Sequence, residues 1–105
     1  MNLRIAFRGM EHSGLLEDYV KKALEKTEKF LGKEPDPIHF DVVLEAHREH
    51  HHHKAEVRLN SKNNHVILQH EDADIYVAID YVMKHLVDEI KKNKEKQLEK
   101  RNHCC

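Results

Sequence analysis

Toward the C-terminus, five apolar residues recur at spacings that only a helix can use. Ile75, Ile79, Val82, Leu86 and Ile90 stand 4, 3, 4 and 4 residues apart. On an α-helix that spacing forms one stripe; on a strand it would scatter the same residues over both faces. The helix it predicts occupies the stretch from Glu71 to Lys100, with Asp72 or Asp74 as its cap, and its stripe demands a matching apolar surface. Charge is sorted along the same stretch, from Glu71, Asp72 and Asp74 at the start to Lys91, Lys92, Lys94, Lys96 and Lys100 at the end. Both ends suit the helix dipole. A lysine-rich end also suits phosphate, so the sorting fits either sound helix design or a grip on RNA.

The rest of the chain supplies the partner surface. Leu3, Ile5 and Phe7 alternate with Arg4, Ala6 and Arg8 and predict a half-buried strand. After a connection over 9–12, Ser13 can cap a helix from Gly14 to Leu31 that Gly32 ends. Leu16, Tyr19, Val20, Ala23, Thr27, Phe30 and Leu31 form its apolar face. Pro35 and Pro37 stop both helix and ladder and mark a loop. Ile38, Phe40, Val42 and Leu44 then alternate as a second strand, Ala55, Val57 and Leu59 as a third, and Val66 and Leu68 as a fourth. Residues 49–53 read as the turn between the second and third strands or as a frayed strand end, and Ser61-Lys62-Asn63-Asn64 has hairpin composition. The order is βαβββα, an α+β fold. The first two strands, joined through a helix, should pair parallel; the last three, joined by short turns, should pair antiparallel. Two helices with one apolar stripe each should pack side by side on one face of this four-stranded mixed sheet.

At 105 residues the chain is one domain, expected over 1–95 with a polar tail over 96–105. No apolar run approaches the roughly 20 residues of a membrane span, and the N-terminus lacks the core of a signal peptide, so a cytosolic protein without a membrane partner is expected. Charged residues are 35% of the chain but sum to only −1. That balance weighs against nucleic-acid binding. The distribution is less even. Four acids and no Lys or Arg lie between Glu34 and Glu45, and again between Glu71 and Asp80; from Lys84 to Arg101 seven bases face four acids. Eleven histidines add positive charge only as the pH falls into the imidazole range.

No catalytic arrangement stands out. The three glycines, Gly9, Gly14 and Gly32, are too far apart for a phosphate loop, Ser13 and Ser61 are explained as cap and turn, and Asp72, Asp74 and Asp80 read as a helix entrance. An enzyme is not expected, nor is a cofactor. The run His47-Arg48-Glu49-His50-His51-His52-His53 can bind metals adventitiously, but adjacent strand residues point to opposite faces and a defined zinc site needs about four fixed ligands. No metal site is expected there or at the adjacent Cys104-Cys105. On the first helix, Lys22, Lys26, Lys29 and Lys33 share a face, and on the second Lys84 and Lys91 share another, continued by Lys92 and Lys94. With the helices side by side, the two rows border one groove and would hold phosphates without reading bases. Glu–Lys mixing on ordinary solvated helices gives the same composition.

Three motifs, in order, resemble one family. Leu16-Glu17-Asp18-Tyr19-Val20-Lys21-Lys22-Ala23-Leu24-Glu25-Lys26, His53-Lys54-Ala55-Glu56-Val57, and Glu71-Asp72-Ala73-Asp74-Ile75-Tyr76-Val77-Ala78-Ile79-Asp80 entering a Lys-rich helix are similar to the ribosome hibernation-promoting factor and ribosome-associated inhibitor A family. The resemblance spans about residues 3–95. It implies the same βαβββα fold and a non-enzymatic protein that binds small-subunit ribosomal RNA in the decoding region, blocking mRNA and tRNA in stress or stationary phase. The RNA-facing positions it implies are Lys22, Lys26, Lys29, Lys84 and Lys91, with Lys92 and Lys94. Tyr76 and Asp80 also match, and are read as packing and as helix structure. Partners implied are the small ribosomal subunit and a second hibernation factor, with a monomer off the ribosome. The chain is similar to the short form, whose members differ in whether they promote or block ribosome pairing. Two departures are notable: the first helix carries as many acids as bases, and Asp88 falls between Lys84 and Lys91. A double-stranded-RNA-binding domain has a related layout, but it needs lysines where Glu71–Asp74 stand. A His-rich metal-binding protein is the remaining alternative.

Overall fold

The computed structural model describes residues 2–102, with side chains described for 2–96 apart from Arg48. Strand β1 (Asn2–Arg8) leads to α1 (Gly14–Leu31), then β2 (His39–His47), β3 (His52–Asn60), β4 (His65–Asp72) and α2 (Ile75–Asn102). The strands lie in chain order β1-β2-β3-β4, with β1 parallel to β2 and the other pairs antiparallel. This is the expected α+β sheet. The register shows why both helices share one side of it. Leu3, Phe40, Leu59 and Val66 form one row across the sheet; Ile5, Val42, Val57 and Leu68 form the next; Phe7, Leu44, Ala55 and His70 form a third. Every apolar row faces the same way, because strand side chains alternate and the register keeps their parity.

The helices cover those rows. Leu16, Val20, Leu24 and Leu31 from α1 and Ile75, Ala78, Ile79, Val82, Met83, Leu86 and Ile90 from α2 are buried against Phe40, Val42, Leu44, Val57 and Leu59. Fully burying side chains of this size contributes about 1.5–3 kcal/mol each relative to exposure. The opposite face of the sheet is solvated and its charges alternate across the strands. Arg8, Glu45, Lys54 and Glu71 form one cross-strand row, and Arg4, Asp41 and Arg58 belong to another. Opposite charges side by side stabilise such rows modestly and leave no single-sign field.

The element boundaries are set by local polar contacts. Glu71 and Asp72 belong to β4, and α2 starts at Ile75. The acids therefore precede the helix rather than fill its first turn. Asp74 caps it, its Oδ1 accepting from Tyr76 N at 2.9 Å, and Asp72 Oδ1 accepts from Asp74 N at 2.9 Å. Of the two caps the sequence offered, Asp72 and Asp74, the structure uses Asp74, and the apolar stripe begins with the helix at Ile75. In the histidine run, Arg48–His50 form one 3₁₀ turn, His51 is left-handed at φ 51°, and His52 and His53 pair in β3 opposite His47 and Ala46. The hairpin is tighter than its polar composition suggests. At the other end α2 continues through residues 96–102; Cys104 and Cys105 lie outside the described residues.

Loops are tied down by specific polar contacts. Ser13 caps α1, its Oγ accepting from Leu16 N at 3.3 Å. Glu34, just past α1, accepts from Asn63 N and Nδ2 at 3.2 and 2.8 Å and from Asn64 Nδ2 at 2.7 Å. Asn64 is buried and its Oδ1 accepts from Asn93 Nδ2 at 2.8 Å, so one side chain joins the β3–β4 turn to α2 and to the loop that follows α1. Gly9 sits at φ 66°, and a Cβ there would stand 2.6 Å from the Ala46 carbonyl oxygen. The helices are also linked directly. Tyr19 on α1 donates its hydroxyl to Asp80 Oδ1 on α2 at 2.5 Å, and its ring meets Tyr76 edge-on at 4.9 Å. The Asp80 bond, and then burial, raise the Tyr19 pKa above its ordinary value.

Two consequences follow for stability. Gly9→Ala should cost about 2 kcal/mol from positive-φ strain and the carbonyl clash, and Asn64→Ala a similar amount by stripping partners from Glu34 and Asn93. Both are read as lower urea midpoints; an unchanged midpoint for either would show that its contact is dispensable. The Tyr19 proton gives a pH signature. A folded-state pKa raised above the unfolded one contributes stability that is present below the ordinary tyrosine pKa of about 10 and lost as pH rises through the folded value. Tyr19→Phe should therefore be less stable than wild type near neutral pH, and the gap should narrow in the alkaline range; urea melts on both sides of that range measure it.

Candidate nucleic-acid interface

Two helices on one sheet face leave a groove along their seam. Its walls come from α1 positions Tyr19, Lys22, Ala23, Lys26, Thr27 and Phe30 and α2 positions Asp80, Met83, Lys84 and Val87. These recur at spacings of three and four, the rows that face a neighbouring helix. The groove holds about 440 Å³. Three lysines rim it against one aspartate, and that aspartate already accepts the Tyr19 hydroxyl. At one end Lys91 Nζ lies 4.9 Å from the centroid of the Phe30 ring, a cation–π contact that places a fourth cation beside the groove.

The seven lysines singled out in the sequence are all exposed, but they do not form one cluster. Lys22, Lys26 and Lys84 line the groove and Lys91 stands at its end. Lys29 is two turns along α1 from Lys22, on the flank beside the groove rather than in its lining. Lys94 turns to a neighbouring cleft with Lys33, Glu34, Lys62, Asn64 and Asn93, so close to Gly32 that a Cβ there would lie 3.2 Å from its Nζ. Lys92 points to Glu89, 3.6 Å away. The two concerns raised by the acids resolve by face. The α2 residue that lines the groove between Lys84 and Lys91 is Val87; Asp88 is exposed outside the lining. On α1, Glu17 pairs with Lys21 at 3.1 Å and with His12 at 2.6 Å, which together hold its carboxyl below the usual range, Lys21 foremost. Glu17, Asp18, Glu25 and Glu28 all lie outside the groove lining.

Several lining residues escaped the sequence reading. Asp80 and Tyr19 are 61 positions apart, and nothing local couples them. Phe30 belongs to the apolar periodicity of α1 yet remains 38% exposed, because it sits at the seam rather than over the sheet. The histidines contribute no site of their own: among the described residues no group of three or more His, Cys, Asp or Glu side chains converges as a metal site would require. Among those residues, too, no helix is long and apolar enough to cross a membrane.

Comparison with known proteins agrees with the fold. No curated protein sequence matches significantly. Among solved structures, the N-terminal domain of Thermus thermophilus Protein Y matches with a TM-score of 0.75 and 26% identity, over 88% of this chain and 98% of that one. A ribosomal subunit interface protein from Coxiella burnetii matches with a TM-score of 0.64 over 90% of this chain and 99% of that one; at 19% identity it supports the fold alone. Residues 3–98 match the family model described as sigma 54 modulation protein / S30EA ribosomal protein, and with nearly the whole described fold inside that match, the chain belongs to this family.

Proposed function

We propose that this protein is a ribosome hibernation factor. It binds small-subunit ribosomal RNA in the decoding region through the α1–α2 groove and excludes mRNA and tRNA during stress or stationary phase. It acts in the cytoplasm, as a monomer when off the ribosome, and by occupancy rather than catalysis. The observation that carries this reading is the lysine-rimmed groove, with Lys22, Lys26, Lys84 and Lys91 brought together by two helices in a chain of the sigma 54 modulation protein / S30EA ribosomal protein family. Lysines placed along a groove bind the phosphate backbone and leave sequence unread. The solvated sheet face, with its alternating charges, offers no comparable field. Both features favour docking helix-side down.

Co-sedimentation with purified small subunits tests the reading. Wild type should bind in a salt-sensitive manner. Lys84→Glu combined with Lys91→Glu should weaken binding at least tenfold at moderate salt, and should reduce the slope of log affinity against log salt by roughly 1.5, the share of two phosphate contacts. Both side chains are exposed, so the unfolding free energy should stay within about 0.5 kcal/mol of wild type. Unchanged binding would remove α2 from the RNA surface, and tight stoichiometric zinc binding without ribosome association would replace the proposal.

A further inference from the structure

Phosphates alone do not explain the floor of the groove. Between the lysines it is closed by Ala23, Met83, Val87 and Thr27, with Tyr19 toward one end and Phe30 toward the other. The Thr27 hydroxyl is consumed by the Ala23 carbonyl at 3.0 Å, so the floor is apolar in effect. A phosphate pressed onto such a surface would shed water without gaining donors, which is unfavourable. A nucleobase has the opposite chemistry, with apolar faces and polar edges, and in single-stranded RNA it is attached between two phosphates.

We propose that the α1–α2 groove takes unstacked nucleobases of single-stranded RNA onto its apolar floor, while Lys22, Lys26 and Lys84 hold the flanking phosphates. This rests on the reading of the groove as an RNA surface and names what that surface recognises. Tyr19 and Phe30 are eleven positions apart on α1, a rise of roughly 16 Å, enough for more than one base in line. The volume of about 440 Å³ falls within the range of small-ligand pockets, about 300–1,000 Å³. Phe30 is 38% exposed and lines the groove, so it offers an aromatic surface at that end. Asp80 keeps acceptor capacity beyond its bond to Tyr19, since a carboxylate offers about four lone-pair sites, and it faces the groove where a base edge would lie. Duplex RNA keeps its bases stacked and cannot reach the floor, so the groove selects single-stranded or extruded positions.

The test compares two probes of equal charge on the intact chain: an oligoadenylate of about eight nucleotides and an abasic sugar–phosphate oligomer of the same length. Oligoadenylate should bind about tenfold more tightly or better, with the same salt slope for both. Ala23→Leu, which fills the floor without changing charge, should lower oligoadenylate affinity about tenfold and leave the abasic probe unaffected. If that variant proves unstable, 2-aminopurine placed in the oligomer gives a second readout on wild type, its fluorescence changing as the base stacks on the floor. Equal binding of both probes, weakened alike by the Lys84→Glu and Lys91→Glu pair, would overturn base insertion while leaving the RNA reading intact. Failure of both probes to bind, with tight capture of an acidic amphipathic helical peptide, would assign the groove to a protein partner and overturn both.

Discussion

Parity in the sheet is the constraint on which everything else depends. With β1 parallel to β2 and the other strands antiparallel in one unbroken register, all the large apolar side chains emerge on a single face. Each helix has one apolar stripe, and the opposite sheet face offers only Arg4, Arg8, Asp41, Glu45, Lys54 and their neighbours. Both helices must therefore lie on the same side. Four strands are wide enough to seat the two in parallel tracks, so the helices touch and a seam between them is unavoidable. The groove is the geometric consequence of satisfying two stripes with one surface.

What the seam is made of then decides what it can bind. A dry seam would carry Leu and Val throughout. This one is tied at one end by the Tyr19–Asp80 bond and the Tyr19–Tyr76 contact, and opens along Lys22, Lys26 and Lys84. The polar link holds the helices in a fixed relation without filling the space between them. At the far end Asn64 joins Glu34 to Asn93 and fixes the same relation from the loop side. Lysines on two helices can act as one binding surface only if their spacing is held, since ordering flexible partners at the moment of binding costs affinity.

The sequence made the element order legible because periods of 2 and 3.6 switch cleanly between segments. Phe40, Val42 and Leu44 can only be a strand, and Ile75 through Ile90 only a helix. It located the apolar face of each element for the same reason. It left the cap of α2 open between Asp72 and Asp74, because Glu71 to Asp74 serve two roles, strand end and cap, and neither role is periodic. It left His52 and His53 between turn and strand end because their pairing with His47 and Ala46 depends on a partner, not on their own character. The candidate surface was legible only in outline. Periodicity put Lys22 with Lys26 and Lys84 with Lys91, but it could not say that Lys92 would turn to Glu89, that Lys94 would lie against Gly32, or that Val87 rather than Asp88 would face the seam. Those outcomes depend on how two helices rotate against each other, which no single helix encodes.

The same rotation explains how a chain of net charge −1 can present a basic surface. Net charge governs the field far from the molecule; within a Debye length, about 8 Å at physiological salt, the local arrangement governs. On α1 the acids occupy positions away from the seam, with Glu17 engaged by Lys21 and His12. On the open sheet face the charges cancel between neighbouring rows, the surplus base of Arg4, Asp41 and Arg58 being offset by Glu56. Where the two helices meet, Lys22, Lys26 and Lys84 rim the groove against the single carboxylate of Asp80, which is bonded to Tyr19. A protein built this way gains little from long-range steering and depends on contact geometry instead. Its binding should be governed more by fit to the groove than by attraction from a distance, and an apolar floor between the lysines adds a contact that salt screens weakly.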